Sequence, residues 1–302
     1  MAEKVVVTGG AGFIGSHIVD VCMEKGFDVH IVDDLSGGKM ERVNKKATFH
    51  KLDIRDLAAI KSVIKGAVYV FHTAALPRVQ FSIENPVLTN DVNVNGTMNV
   101  LIASHEGGVK KVVYSASSSA YGDQDVLPLV ETMTASPKSP YGLHKYIGEL
   151  YCRVWSEVYD LPTVSLRYFN VYGPRFDPDG AYALVIGKFL KQRKNGEPLT
   201  ITGDGTQTRD FTHMSDVVRA NILAAENDNV VKGEVFNIGF GKRTDINTLA
   251  KLIGGEVVHV APRLEPHDTE ADNSKAKRVL GWAPQVALEE GIAELKKEWN
   301  LA

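Results

Sequence analysis

The sequence predicts an α/β fold: a doubly wound parallel sheet with a smaller interleaved C-terminal lobe. Two observations favour this fold. Short apolar segments rich in valine alternate with longer helical patterns in the first half of the chain, which is typical of a parallel sheet covered on both faces. A glycine-rich turn also joins the first of these segments to the first helical pattern. At 302 residues the chain is long enough for one large or two modest domains.

The predicted elements follow one another regularly up to about residue 170. Unbroken apolar runs predict strands at 4–9, 28–34, 47–54, 68–75, 109–117 and 162–170. Periodic patterns predict helices at 13–26, 56–65, 86–106 and 140–159. Turns rich in proline and glycine then precede a helix near 214–226, a strand at 234–239, and helices near 245–253, 273–280 and 286–299. We therefore predict a larger domain, 1–167 plus about 211–239, and a smaller lobe, 168–210 and 240–302.

Charge and composition exclude several classes of function. The net charge is −3, so the chain offers no basic field to nucleic acid or to an anionic membrane. Its two cysteines, Cys22 and Cys152, are far apart and belong to no ligand cluster, so neither a disulfide framework nor a metal site is expected. The chain begins without a leader pattern and contains no apolar run of about 18 residues. We expect a soluble cytoplasmic protein.

The segment "VVVTGGAGFIGSH" has the pattern of a phosphate-binding turn. Gly9, Gly12 and Gly15 follow a predicted strand and open a predicted helix, with Phe13 and Ile14 between them. Glycines permit a tight turn and a close backbone approach, and a helix N-terminus offers N–H groups and a positive dipole end to a pyrophosphate. A dinucleotide is therefore the predicted ligand, the alternative being an ordinary strand–helix connection.

Asp33 ends the second predicted strand, eighteen residues after Gly15. A carboxylate there accepts hydrogen bonds from the adenosine ribose hydroxyls and repels a 2′-phosphate, which favours NAD over NADP. Lys39 and Arg42 lie nearby in the sequence and weaken that preference. The alternative role for Asp33 is a helix cap.

Tyr141 and Lys145 lie four residues apart in a predicted helix and therefore share one face of it. This spacing alone is common by chance. Ser117 ends the predicted strand "VVYSAS", at the edge of the sheet where folds of this class bind their ligands. Its alternative role is to cap a strand or a turn.

Together these segments resemble the extended short-chain dehydrogenase/reductase family, in particular its NAD-dependent nucleotide-sugar epimerases. The resemblance covers essentially the whole chain. It depends on "TGGAGFIGSH" (8–17), "LDIRD" (52–56), "VFHTAA" (70–75), "NVNGT" (93–97), "SASSSAYGD" (115–123), "SPYGLHK" (139–145), "RYFNVYGPR" (167–175), "GDGTQTRDF" (203–211) and "ADNSKAKRVLGW" (271–282). It implies a Rossmann domain that binds NAD, a C-terminal lobe that binds a UDP-sugar, and a homodimer formed through a helix bundle.

The resemblance also implies roles for individual residues. Tyr141 is the catalytic base or acid, Lys145 and the positive nicotinamide ring lower the pKa of its phenol, and Ser117 contacts the reacting hydroxyl. The implied cofactor contacts are Gly9, Gly12, Phe13, Ile14, Gly15, Asp33, Asp53, Ile54, Thr73, Ala74, Ala75, Asn95, Tyr141, Lys145 and Tyr168. The implied substrate contacts are Ser117, Ser118, Tyr141, Asn170, Arg209, Arg263 and Thr269. For Arg209 the alternative is a salt bridge with Asp204 or Asp210, and His72 and His144 are interpreted as packing residues.

The residues after Ser117 separate the reactions of the family. Dehydratases carry an aspartate and a glutamate there, and decarboxylases carry a glutamate, whereas this chain has Ser118 and Ser119. Without those carboxylates a site can oxidise a sugar alcohol and reduce the ketone again, which indicates 4-epimerisation. The alternatives are another NAD-dependent nucleotide-sugar enzyme, such as a 4-keto reductase or a dehydratase, and a non-catalytic NAD-binding sensor.

Two features bear on the sugar. Thr269 stands where a bulky tyrosine in relatives excludes an N-acetyl group at the sugar 2-position. Residues 177–186 resemble the corresponding segment of enzymes that act on N-acetylated sugars. The sequence therefore favours UDP-N-acetylglucosamine and UDP-N-acetylgalactosamine, with UDP-glucose and UDP-galactose as alternative substrates.

Overall fold

The computed structural model describes residues 2–176, 185–261 and 267–301. In these ranges the main sheet contains seven strands: β1 (Lys4–Thr8), β2 (Asp28–Asp33), β3 (Thr48–Lys51), β4 (Tyr69–His72), β5 (Lys111–Ser117), β6 (Thr163–Tyr168) and β11 (Glu234–Ile238). Shorter strands form three pairs: β7 (Val171–Tyr172) with β10 (Thr212–His213), β8 (Leu199–Thr202) with β13 (Val257–Val260), and β9 (Thr208–Asp210) with β12 (Arg243–Asp245).

The main sheet has the order β3–β2–β1–β4–β5–β6–β11, and each strand is parallel to its neighbours. The chain moves outward from β1 to β3 and then crosses to the other side of β1 with β4. In sheets of this kind the crevice for a ligand lies outside the carboxyl ends of the strands, at the point where the order reverses. The predicted doubly wound fold is confirmed.

Helices cover both faces of the main sheet. They are α1 (Phe13–Glu24), α2 (Leu57–Ile64), α3 (Val79–Glu84), α4 (Pro86–Asn90), α5 (Gly96–Glu106), α6 (Pro140–Val158), α7 (Val185–Lys194), α8 (Met214–Glu226), α9 (Ile246–Ile253), α10 (Ser274–Leu280) and α11 (Leu288–Glu298). On one face α1 and α8 bury Ile18 and Val217, and on the other α2, α5 and α6 bury Ile60, Leu101 and Cys152. Among the helices of the described ranges, none is both long enough and apolar enough to cross a bilayer.

A separate apolar cluster fills the smaller lobe. It joins α7, α9 and α11 to β8, with Phe189, Leu249 and Leu295 fully buried. Two elements that follow α7 in the sequence return to the main sheet. Helix α8 packs against α1, and strand β11 pairs with β6. The exact domain boundaries inferred from the sequence stay a prediction.

The segment 86–106, predicted as one helix, consists of three pieces. A π-helical turn, Asp91–Asn95, connects α4 to α5. Within this turn Asn93 is only 2% exposed. The N–H of Leu76 donates to Oδ1 of Asn93 at 2.7 Å, and Nδ2 of Asn93 donates to the carbonyl of Leu76 at 3.1 Å. Since a π turn contains one more residue than an α turn, it changes which side chains face the strand ends.

Candidate active site

A cleft opens at the carboxyl edge of the sheet, beside the ends of β1, β2, β4 and β5. Its lining contains every predicted cofactor residue except Asn95. It also contains residues that the sequence analysis did not single out, among them Ser36, Gly37 and Gly38 after β2, and Pro77 after β4. The cleft therefore lies at the crevice that the strand order creates.

The turn between β1 and α1 forms one wall of the cleft at very close range. Gly9 has a φ of +72°, and a Cβ atom there would lie 2.7 Å from the backbone nitrogen of Ala74. A Cβ atom at Gly15 would collide with the carbonyl oxygen of Gly9. A side chain at either position would clash with the backbone of Ala74 or of Gly9, so only glycine fits here. The turn therefore suits a pyrophosphate held by backbone groups.

Asp33 is buried at the end of β2, where its carboxylate organises the backbone around the cleft. Oδ2 accepts a hydrogen bond from the N–H of Ala11 at 3.0 Å, and Oδ1 accepts one from Leu35 at 2.8 Å. Burial raises the pKa of this carboxyl group, and the two backbone hydrogen bonds act in the opposite direction. Each oxygen accepts one of these bonds and keeps a lone pair for a ribose hydroxyl. The residues present therefore fit a dinucleotide with two free ribose hydroxyls.

Two further groups of predicted residues complete the cofactor walls. Oγ1 of Thr73 donates to the carbonyl of Thr8 at 2.7 Å, which ties the loop after β4 to the end of β1. Asp53 lies on the other side and is paired with Arg55, whose Nη2 is 2.6 Å from its Oδ2. The hydrogen bond from Arg55 lowers the pKa of Asp53, so this carboxylate is charged at neutral pH.

Asn95 does not lie in the cleft. Its side chain is exposed, and Nδ2 donates to Oδ1 of Asp91 at 2.9 Å. The position behind the strand ends, which we expected for Asn95, is held by Asn93 through its two hydrogen bonds to Leu76, and Val92 lines the cleft itself. The prediction for Asn95 is therefore corrected, and the π-helical turn is the physical reason.

The start of α6 brings Tyr141 into the cleft. Pro140 occupies the first turn, and Oγ of Ser139 accepts a hydrogen bond from the N–H of Gly142 at 3.1 Å, which caps the helix. The backbone N–H of Tyr141 donates to Oγ of Ser82 at 3.1 Å, so α3 also fixes this end of α6. The ring of Tyr141 is buried and forms part of the cleft lining.

Lys145 and Ser117 lie beside this tyrosine. Nζ of Lys145 is buried and donates to the carbonyl of Ser115 at 2.7 Å, which anchors α6 to β5. Oγ of Ser117 accepts a hydrogen bond from the N–H of Ser119 at 3.2 Å and also hydrogen-bonds to Tyr141. Tyr141, Lys145 and Ser117 are thus brought together, although they come from two different elements.

The acid–base properties of the pair differ from the expectation. Burial raises the pKa of Tyr141 to about 12, while its hydrogen bond to Ser117 acts in the opposite direction. Burial also lowers the pKa of Lys145 to about 8. The protein groups alone therefore make the phenol less acidic than a free tyrosine, because desolvation outweighs the effect of Ser117. A low phenol pKa requires a further positive charge in the cleft.

The predicted substrate residues of the smaller lobe gather around β9. Nδ2 of Asn170 donates to the carbonyl of Asp210 at 2.9 Å, and Nη1 of Arg209 donates to the carbonyl of Thr208 at 2.8 Å. The N–H of Thr269 donates to the same carbonyl of Thr208 at 3.2 Å. Oγ1 of Thr269 is buried and has no hydrogen-bond partner within the described ranges. These side chains lie together but outside the cofactor cleft.

The remaining predicted residues lie in separate parts of the chain. Ser118 begins a short 3₁₀ turn directly after β5. Arg263 and most of the segment 177–186 lie outside the described residues. His72 is buried between the hydroxyls of Thr8 and Thr97, at 2.7 and 2.9 Å. Burial lowers the pKa of His72 to about 3, so it is a neutral packing residue.

Sequence reasoning missed the loop after β2 and the residues behind α6. The small residues of "SGG" (36–38) were a usable signal, because a Cβ atom at Gly38 would lie 2.7 Å from Oδ1 of Asp33. Glu149 and Arg167 form a buried ion pair with Nη2 2.6 Å from Oε2. That pair joins α6 to β6, and no local pattern connects its two members.

A carboxylate at the end of β2, a glycine turn and a buried tyrosine–lysine pair around one cleft define the class of NAD-dependent short-chain dehydrogenases/reductases. The comparison with known proteins makes the assignment narrower. The chain belongs to the NAD dependent epimerase/dehydratase family, whose model matches residues 5–239. The resemblance to the NAD-dependent epimerases of the extended short-chain dehydrogenase/reductase family is thereby confirmed, as is NAD as the cofactor.

Individual relatives are similar over almost their whole length. A putative UDP-glucose 4-epimerase of Methanocaldococcus jannaschii is 43% identical, over 95% of each chain. The crystal structure of a UDP-glucose 4-epimerase from Thermotoga maritima, with UDP-glucose, is 42% identical with a TM-score of 0.93, over 98% of each chain. A UDP-N-acetylglucosamine 4-epimerase from Methanobrevibacter ruminantium, in complex with UDP-N-acetylmuramic acid, is 39% identical with a TM-score of 0.93, over 100% of this chain and 99% of that one.

The substitution Asp33→Asn tests the carboxylate at the end of β2. We expect the affinity for NAD to fall about tenfold or more. The asparagine amide has one acceptor oxygen, whereas the Asp33 carboxylate accepts hydrogen bonds from two backbone N–H groups. The preference for NAD over NADP should also shrink, since the repelling charge is removed. Calorimetric titration with both dinucleotides measures the two effects.

Asp56→Asn is the matched control, because Oδ1 of Asp56 accepts a backbone hydrogen bond from Ala59 at 3.0 Å at the start of α2. This variant should leave both affinities unchanged. An NAD/NADP preference that is the same in Asp33→Asn as in the unaltered protein would contradict the role of Asp33.

Proposed function

We propose that the protein interconverts UDP-N-acetylglucosamine and UDP-N-acetylgalactosamine by epimerisation at sugar C4, and that it also accepts UDP-glucose and UDP-galactose. The observation that carries the reaction type is the composition of the site around Tyr141. Ser118 and Ser119 follow Ser117, and neither supplies the carboxylate that loss of water from a sugar requires. Proton transfer at one alcohol is the chemistry that the remaining groups support.

The proposed preference for N-acetylated sugars depends on Thr269. A threonine leaves room beside the sugar 2-position that a tyrosine would fill, and its buried hydroxyl has no partner among the described residues. A buried hydroxyl without a partner is unfavourable, so an amide group of the substrate would satisfy it. A relative of 39% identity that is named as a UDP-N-acetylglucosamine 4-epimerase supports the same preference. The two relatives named for UDP-glucose support the plain hexoses as further substrates.

In the proposed mechanism Tyr141 accepts the proton of the sugar 4-hydroxyl and later returns it. Ser117, which lies beside Tyr141, would hydrogen-bond the same 4-hydroxyl and hold it against the phenol. Lys145, which donates to the carbonyl of Ser115, would place its positive charge near the phenol and would hold the nicotinamide ribose. NAD, which the glycine turn after β1 and Asp33 would hold, would supply the hydride acceptor and donor for sugar C4.

Inversion requires that the 4-keto sugar turns while the nucleotide stays fixed. Arg209, with its planar fork of donors, is suited to hold the diphosphate, and Asn170 lies beside it at the end of β6. Binding energy concentrated on the nucleotide leaves the sugar weakly held. The sugar can then present either face of C4 to the cofactor.

The substrate proposal is tested by incubating the protein and NAD with each UDP-sugar and separating the C4 epimers by chromatography. We expect UDP-N-acetylglucosamine to yield UDP-N-acetylgalactosamine without net formation of NADH. Thr269→Tyr should lose most turnover of the N-acetylated pair and keep that of UDP-glucose, which serves as the internal control. If neither N-acetylated sugar yields an epimer, the proposed preference for N-acetylated sugars is wrong. If a product lighter by one water forms, epimerisation is the wrong reaction.

The substitution Tyr141→Phe tests the catalytic phenol. We expect turnover to fall about 10²- to 10⁴-fold, the usual contribution of general acid–base catalysis, while NAD binding is retained. Tyr146→Phe is the control on the same helix, since Tyr146 does not belong to the cleft lining. Equal turnover of the Tyr141→Phe variant and the unaltered protein would remove Tyr141 from the mechanism.

We also propose that two copies of the chain associate through α4 and α6. These helices expose large apolar side chains, among them Val87 at 82%, Val158 at 64% and Leu143 at 45%. Light scattering should give twice the chain mass of 33.0 kDa. Val158→Glu should reduce this mass, whereas Val126→Glu, at a position of 63% exposure in a loop, should not. A single-chain mass for the unaltered protein at micromolar concentration would contradict the dimer.

A further inference from the structure

The face of α6 that carries the tyrosine and the lysine contains a third buried polar residue. Tyr141, Lys145 and Glu149 follow at intervals of four residues and therefore lie one above the other along the helix. All three are buried. Tyr141 and Lys145 line the cleft, whereas Glu149, one turn further along α6, does not belong to its lining.

Arg167 of β6 holds this carboxylate in one geometry. Nε of Arg167 donates to Oε1 of Glu149 at 2.9 Å, and Nη2 donates to Oε2 at 2.6 Å. The side chains are 4% and 2% exposed. The guanidinium of Arg167 lies over the ring of Tyr121, 4.4 Å from its centre, and the phenol of Tyr121 donates to Oδ1 of Asn237 at 2.7 Å. Burial raises the pKa of Glu149, and the two hydrogen bonds from the Arg167 guanidinium, which favour the carboxylate, oppose that rise.

The surroundings of Lys145 contain little other negative charge. The titratable groups that face it are Tyr141, His144, Glu149 and Cys152 of α6, His72 of β4 and Tyr114 of β5. Burial raises the pKa of Cys152 to about 12, and it also raises the pKa of both tyrosines, so these groups are neutral at pH 7. Burial lowers the pKa of both histidines, which are neutral as well. Among these groups Glu149, as the ion-pair partner of Arg167, is the source of negative charge.

We propose that Glu149 is a positioning residue for Lys145: fixed by Arg167, its carboxylate keeps the lysine ammonium charged and directed at the carbonyl of Ser115. A merely structural role explains the pair less well. Two buried charges of opposite sign are costly to desolvate, and apolar residues of similar volume often stabilise a protein more. A buried carboxylate one helical turn from a buried ammonium can instead stabilise the charged form of that amine. Burial lowers the pKa of Lys145 to about 8, and Glu149 opposes that shift.

The inference depends on the proposed function, in which Lys145 must be an ammonium while Tyr141 reacts. A carboxylate favours the charged form of a nearby amine, so its removal should lower the pKa of Lys145 further. In Glu149→Gln we expect that pKa to fall by about one to two units. The fall of activity at alkaline pH should move to lower pH by the same amount.

The direct experiment is an NMR titration of the protein labelled with ¹³C at the ε-carbon of lysine. The Lys145 signal is assigned by its loss in Lys145→Met. This titration needs no substrate, so it tests the role of Glu149 independently of the proposed epimerase activity. Absence of epimerase activity with a lowered Lys145 pKa would refute the proposed function alone, and an unchanged Lys145 pKa in an active enzyme would refute the inference alone.

Two further variants guard against a purely structural effect. The Glu149→Gln variant leaves the Arg167 guanidinium buried without a carboxylate partner. The double variant Glu149→Met with Arg167→Met removes both buried charges, and it should still lower the pKa of Lys145. Asp216→Asn is the matched control, because Asp216 is a buried carboxylate of α8 that accepts backbone hydrogen bonds from Gln285 and Val286. It should leave the Lys145 pKa and the pH profile unchanged. The same pKa in all three variants and in the unaltered protein would overturn the proposal.

Discussion

The burial of one face of α6 against β5 and β6 is the constraint on which the site depends. A Cβ atom at Gly148 would collide with the phenol oxygen of Tyr114, so the helix lies as close to the strand as a glycine allows. At this distance the Lys145 ammonium reaches the carbonyl of Ser115, 2.7 Å away, and lies 5.0 Å from the centre of the Tyr114 ring. The same approach buries Tyr141, Lys145 and Glu149 on that face.

Desolvation then sets the chemistry of the site. It raises the pKa of Tyr141 and lowers that of Lys145, so each group moves toward its neutral form. The charges that oppose this trend must come from fixed partners, because bulk water no longer stabilises them. Glu149 and Arg167 supply one such pair behind the lysine, and a positively charged nicotinamide ring would supply the other charge, in front of the tyrosine. In the proposed mechanism the phenol of Tyr141 is therefore activated only when the cofactor is bound.

Much of the fold could be predicted because its signals are local. Alternating strands and helices, the glycines at 9, 12 and 15, and Asp33 at the end of β2 all follow from short-range patterns. The features that could not be predicted depend on contacts between distant segments. Asn93 and Asn95 stand two residues apart in one short motif, and only the folded π-helical turn shows that Asn93 bonds to Leu76 while Asn95 bonds to Asp91. Likewise the rise in the Tyr141 pKa depends on how deeply α6 is buried, which no spacing of residues reveals.

The central claim is that the buried phenol of Tyr141 acts directly on the sugar 4-hydroxyl. The most direct measurement is a crystal structure of the protein with NADH and a UDP-hexose. The account predicts that the oxygen of Tyr141 lies about 2.6–3.2 Å from the 4-hydroxyl oxygen, with C4 facing the nicotinamide. A well-ordered sugar whose C4 lies beyond reach of both the phenol and the Ser117 hydroxyl would contradict it.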